Sequence, residues 1–209
     1  ASLSQASLEP PVIATFYSLR GGVGRSTALA QTAHVLAELG LSVLCIDKDL
    51  EAPGLANLFG VADKVHENSG VVPLLTENEI LGEVPASLTD HFLRVDTPNQ
   101  NKRIELLPAG KIGPAYAQDL SLLDPAAWFE EEVNPLRKLI DGVRDLDPVV
   151  RPEAILIDSR TGLSPISAPL LFETADIDII TFLPHPQTKT GTGLLTRALL
   201  TAETARGQR

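Results

Sequence analysis

The stretch Leu19-Arg20-Gly21-Gly22-Val23-Gly24-Arg25-Ser26-Thr27 constrains this chain more than any other. It follows the apolar, β-branched run Val12–Tyr17, which reads as a buried strand. It precedes Ser26–Leu39, where Leu29, Ala33, Leu36 and Ala37 share one helical face. The first N–H groups of a helix have no partner inside it, and the dipole adds positive charge there. A strand, a glycine turn and a helix N-terminus together therefore make an anion site, above all for phosphate. Glycine is needed in such a turn because a Cβ would forbid the backbone angles or meet the ligand.

The pattern departs from the common phosphate loop G-x-x-x-x-G-K-[ST]. Leu19 stands where the first glycine would be, and Arg25 where the lysine would be. What remains is basic-G-G-x-G-basic-[ST]. This resembles the deviant Walker A loop of the ParA/MinD family of P-loop ATPases, and its Arg25 form resembles the KGGVGR-variant branch. The resemblance implies an ATP site built by residues Arg20, Gly21, Gly22, Val23, Gly24, Arg25, Ser26 and Thr27. It implies that Arg25 holds phosphate within its own subunit, that Ser26 ligates Mg²⁺, and that Arg20 reaches the nucleotide of a dimer partner.

Two further segments fit. Ser42–Asp47 is an apolar strand ending in Asp47-Lys48-Asp49, followed by Leu50-Glu51-Ala52-Pro53-Gly54-Leu55. Alternate side chains of a strand share a face, so Asp47 and Asp49 fall on one side of its carboxyl end. In the family the second Asp positions the attacking water, which gives Asp49 a catalytic role and Asp47 a supporting one in the metal shell. Ala154-Ile155-Leu156-Ile157-Asp158 leads to Gly162, the form of a Walker B strand. The resemblance makes Asp158 a Mg²⁺ ligand, usually through water, and Gly162 the hinge near the γ-phosphate. Arg160 reads equally as a phosphate sensor or as a surface ion pair.

Composition narrows the class. A chain of 209 residues suggests one domain, and 44% hydrophobic residues with 4% aromatic suggest an aliphatic core. The alternation of strands and helices predicts an α/β fold with a mainly parallel sheet, and the resemblance implies a P-loop three-layer sandwich lacking the family's last strands. No apolar stretch is long enough for a membrane helix. Residues 1–11 read as a mobile leader and 12–209 as a partial ATPase domain. The net charge of −10 weighs against a nucleic-acid-coating surface. Cys45 is the single cysteine and reads as a small buried hydrophobe; a reducing, cytoplasmic setting fits it. One cysteine cannot build a cysteine-held iron–sulfur cluster. His34, His66, His91 and His185 show no metal spacing.

Along the chain we expect strand 12–19, helix 26–39, strand 42–47 and a short helix through 55–59. Segment 61–103 is the least patterned, with a helix through 71–75 and 80–81 and a strand at 91–95. Strand 104–107 ends in Pro108-Ala109-Gly110, also family-like, and 111–125 reads as loop. Residues 126–146 read as helix, with Pro135 a kink or a new first turn capped by Asn134. Trp128 and Phe129 would anchor it. Strand 154–158, a helix at 166–173, strand 178–183 and a helix at 188–205 complete the order.

The implied activity is ATP binding with Mg²⁺ in an ATP-bridged homodimer, with slow hydrolysis that switches an attached or neighbouring effector. Arg25 weakens the hydrolysis expectation more than the binding one, because a planar guanidinium is not a compact ammonium. The competing expectations are an inactive nucleotide-binding scaffold and a DNA-partition ATPase. A tyrosine kinase of related fold is disfavoured because Tyr17 and Tyr116 are the only tyrosines.

Overall fold

A computed structural model describes residues 11–81, 88–97, 103–124, 128, 134–159, 161–162 and 174–206. Among the described residues six strands form one sheet: β1 (Val12–Tyr17), β2 (Val43–Lys48), β3 (Leu93–Val95), β4 (Ile104–Leu107), β5 (Ala154–Ser159) and β6 (Ile177–Ile180). Their order is β3-β4-β2-β5-β1-β6. Every pairing is parallel except the one between β3 and β4. Helices α1 (Arg25–Glu38), α2 (Leu55–Leu58), α3 (Val71–Leu81), α4 (Pro114–Leu122), α5 (Pro135–Arg144) and α6 (Pro186–Arg206) surround it. This is the expected P-loop α/β fold.

The strand sequences explain the layering. β2 and β5 are buried at every position, as parallel strands covered on both faces require. Alternation sends Ala14, Phe16, Cys45 and Leu156 to the face where α1 lays Leu29, Ala33 and Ala37. It sends Ile13, Leu44, Ile46, Ile155 and Ile157 to the other face, against α3, α5 and Trp128. Each such aliphatic side chain contributes roughly 1.5–3 kcal/mol when fully buried. Tyr17 ends β1 under α6, beside Leu195.

Most expected elements are present, with ends moved by a residue or two. β1 stops at Tyr17, so Ser18 and Leu19 belong to the loop, and β2 runs on through Lys48. Asn134 caps α5: its Oδ1 accepts from the Leu136 N–H at 2.9 Å, with Pro135 in the first turn. β6 is shorter than expected, ending at Ile180 and leaving Phe182 and Leu183 exposed.

The loop expected at 111–125 is instead largely helix α4. Pro114 opens it, and Tyr116, Leu120 and Leu123 lie four and then three residues apart against the core. That apolar spacing outweighs the polar residues between. The leader through residue 10, the helix at 166–173, Phe129 and Arg160 lie outside the described residues. No described helix is long and apolar enough to cross a membrane.

Candidate functional site

The loop leaving β1 crosses the carboxyl edge of the sheet before α1 begins. Gly22 and Gly24 take positive φ, +75° and +85°, conformations that L side chains rarely adopt. A Cβ built at Gly21, Gly22 or Gly24 meets no protein atom within 4 Å, so the glycine backbone borders open space. Gly24 precedes α1 and provides no side-chain cap. The first N–H groups of α1 are thus left for a ligand or water. Ser18 steadies the loop from within: it is buried, and its hydroxyl donates to the Arg20 carbonyl at 2.9 Å.

Arg25, the first residue of α1, turns its side chain inward and is only 7% exposed. Its Nη2 donates to Asp49 Oδ2 at 2.8 Å, and its Nε donates to Asp158 Oδ1. Ser26, the next residue, also pulls the pKa of the Asp158 carboxyl down. One guanidinium therefore joins the phosphate loop to the acids after β2 and at the end of β5. Burial alone lowers the Arg25 pKa, but the charge of Asp158 and the bonds to both acids raise it overall, so it stays charged. Burial pushes Asp158 up; Arg25 and Ser26 offset part of that push. The third guanidinium nitrogen, Nη1, is buried and has no acceptor among the described residues.

Asp47 stands apart from this cluster. It pairs in register with Asp158 on the neighbouring strand and is 1% exposed. Its carboxylate accepts from the N–H groups of Gly54 at 3.0 Å, Leu55 at 2.9 Å and Asp49 at 3.3 Å. It closes the loop between β2 and α2. Burial pushes its pKa up to about 7, against the downward pull of the Leu55 N–H and with a further upward push from Asp158. Lys48, between the two acids, turns to the opposite face and is buried there, which lowers its pKa well below the usual range.

The structure thus brings together Arg25, Ser26, Asp49 and Asp158. It places Asp47 alongside as a loop anchor, and leaves Arg20 and Thr27 exposed and Val23 half-buried. Arg20 makes no side-chain hydrogen bond or ion pair among the described residues. Gly162, with φ +80°, donates its N–H to the Ser18 carbonyl at 3.2 Å, tying the segment after β5 to the phosphate loop. Cys45 is fully buried, and burial pushes its thiol up. No group of three His, Cys, Asp or Glu residues suited to a metal occurs among the described residues.

Sequence reasoning missed Tyr116. Its hydroxyl donates to the Leu50 carbonyl at 2.5 Å, next to Asp49 in the chain. The helical spacing around it was the available signal.

Residues 11–85 match the family model described as ParA: NUBPL iron-transfer P-loop NTPase. Over 57 residues the chain is 49% identical to the cytosolic Fe-S cluster assembly factor NUBP2 homolog of Monosiga brevicollis. That stretch is 26% of this chain and 20% of the relative. A putative plasmid partition protein of Borrelia burgdorferi B31, solved bound to AMPPNP, superposes with a TM-score of 0.65 at 20% identity, over 92% of this chain and 70% of that one. The septum site-determining protein MinD of Pyrococcus horikoshii OT3, solved with Mg-ADP, gives 0.64 at 22% identity, over 90% and 65%.

Proposed function

We propose that this chain, whose residues 11–85 match the ParA P-loop NTPase family model, is a ParA/MinD-type ATPase that binds ATP with Mg²⁺, dimerises around the nucleotide and hydrolyses it slowly. The observation that carries this reading is the buried Arg25 guanidinium, one nitrogen of which has no acceptor among the described residues, together with the open glycine cradle it adjoins in the chain. A buried donor left unpaired costs about 1–3 kcal/mol, and a phosphate oxygen would remove that cost. The loop N–H groups would hold the same phosphates.

The donor set suits Mg²⁺, which takes few protein oxygens and completes its shell with water and phosphate. Ser26 and Asp158 would hold it. When bound, the ion would neutralise negative charge on the phosphates. The chain's own residues do the rest. Arg25 would exchange both of its carboxylates for phosphate, leaving Asp158 to hold the metal and Asp49 to orient the attacking water. Asp47 keeps the loop carrying Asp49 in place. Arg20, exposed at the front of the loop, would reach the nucleotide of a second subunit, so that dimer lifetime follows the state of the nucleotide. The forked guanidinium at Arg25 places charge differently from a lysine, which makes slow turnover the expected outcome. The switch would act on an effector protein or domain, in the cytoplasm.

The identity to the NUBP2 homolog favours a second reading, a part in iron–sulfur cluster assembly. The one cysteine of these 209 residues lies buried in β2, so they offer no exposed thiolate to carry a cluster. Any such part would rest on the nucleotide switch.

Calorimetric titration with ATP, ADP and GTP, each with Mg²⁺, tests the primary reading. Saturable binding of ATP, lost without the loop glycines, is expected. Absence of any nucleotide binding would overturn it.

A further inference from the structure

We propose that Tyr116 is a positioning residue for hydrolysis, holding Asp49 in place through the Leu50 carbonyl; this rests on the ATPase reading above. Tyr116 lies on α4, 66 residues from Leu50, and reaches the loop after β2 with its hydroxyl. Both residues are buried, at 8% and 2% exposure. Burial raises the Tyr116 pKa, and so do the nearby charges of Asp47 and Asp49, which keeps the hydroxyl a donor.

The ring is itself held. A Cβ at Gly110 would come within 2.7 Å of Tyr116 Cδ2 and 2.8 Å of its Cε2, so the Pro108-Ala109-Gly110 turn lies directly against the ring. That turn is fixed in turn by α3, since the Val71 and Val72 N–H groups donate to the Pro108 and Ala109 carbonyls at 2.8 and 2.9 Å. The hydroxyl is therefore a rigid point, set by α3, the turn after β4 and α4 together.

The loop it touches has two other holds. Asp47 grips its ends through the Asp49, Gly54 and Leu55 N–H groups. Arg25 grips the Asp49 side chain. In the proposed reaction Arg25 turns to phosphate, and the second hold is lost when Asp49 must be best placed. Tyr116 then fixes the peptide next to Asp49. A displacement of about 1 Å in such a group costs up to about a hundredfold in rate.

Tyr116→Phe removes the hydroxyl and keeps the ring against Gly110. We expect kcat for ATP to fall about ten- to hundredfold. KM should stay within about twofold, as expected when an interaction made only in the transition state is lost. In an Asp49→Ala background, Tyr116→Phe should lower kcat no further, because the group it positions is gone. Equal turnover by parent and Tyr116→Phe overturns the inference while leaving the ATPase reading intact. So does a loss that repeats in full in the Asp49→Ala background, or a parallel rise in KM with a lowered Tm. A parent with no turnover at all overturns the ATPase reading, and this inference with it.

Discussion

The Arg25 guanidinium and the Asp49 carboxylate meet at 2.8 Å, with 7% and 13% of their side chains exposed. This pair ties the phosphate loop to the loop after β2. Removing one partner of a buried pair commonly costs about 3–5 kcal/mol, because the other charge is left uncompensated. Here Asp158 stays on Arg25, so the cost falls below that range.

Asp49→Ala should therefore lower the Tm of the nucleotide-free protein by a few degrees, since each kcal/mol shifts a domain of this size by about 2–4 °C. ATP affinity should change little and turnover should fall at least tenfold. Thermal melts and phosphate release read both. Turnover at the parent rate would show that Asp49 does not orient water.

Gly24→Val should abolish nucleotide binding in a folded protein. The position holds φ +85°, which costs an L side chain roughly 1–2 kcal/mol. Its Cβ meets nothing in the protein, so the new bulk occupies the cradle. Calorimetry alongside circular dichroism checks this, and parent-like affinity would contradict the site.

Arg25→Lys keeps the charge but not the fork. An ammonium holds Asp49 and Asp158 together less firmly. We expect ATP binding to persist and turnover to equal or exceed that of the parent. Loss of binding in a titration would mean that the loop is shaped around guanidinium.

Arg20→Ala should leave binding to one subunit unchanged and weaken ATP-dependent dimerisation by about 2–5 kcal/mol, the scale for truncating a desolvated charge partner. Arg20 is exposed, so a purely local role predicts about 0–1 kcal/mol and unchanged assembly. Sedimentation with a non-hydrolysable analogue separates the two outcomes.

His91 gives a pH dependence. Its Nδ1 accepts the Gly70 N–H at 3.2 Å, which requires the neutral ring, and burial lowers its pKa below the usual 6.5. The unfolded chain then binds the proton more readily. The contribution of His91 is complete above about pH 6.5 and is lost as pH falls through its folded pKa. Melts across that window should show a smaller loss for His91→Asn than for the parent.

The fold was legible where apolar runs were continuous. β2 and β5 are buried on both faces, so their sequences carry little polar interruption, and their places were read to within a residue. The glycine loop was equally plain, because few backbones need glycine so densely. Three features were not legible. α4 was hidden because Gln118, Asp119 and Ser121 interrupt the apolar spacing of Tyr116, Leu120 and Leu123. The inward turn of Arg25 depends on where β5 delivers Asp158, a contact 133 residues distant. The binding of Asp47 to three backbone N–H groups follows from a loop path that strand alternation does not specify.

Strand β6 has a neighbour only on its β1 side among the described residues, and Ile177, Phe182 and Leu183 are 44–58% exposed at or just beyond it. An edge strand is a template on which another strand can pair. For anyone handling these 209 residues in isolation, concentration therefore becomes a limiting variable. Crowding brings open edges together, while the charge of −10 holds copies apart most effectively at low ionic strength. Added salt should shorten the time the protein stays dispersed.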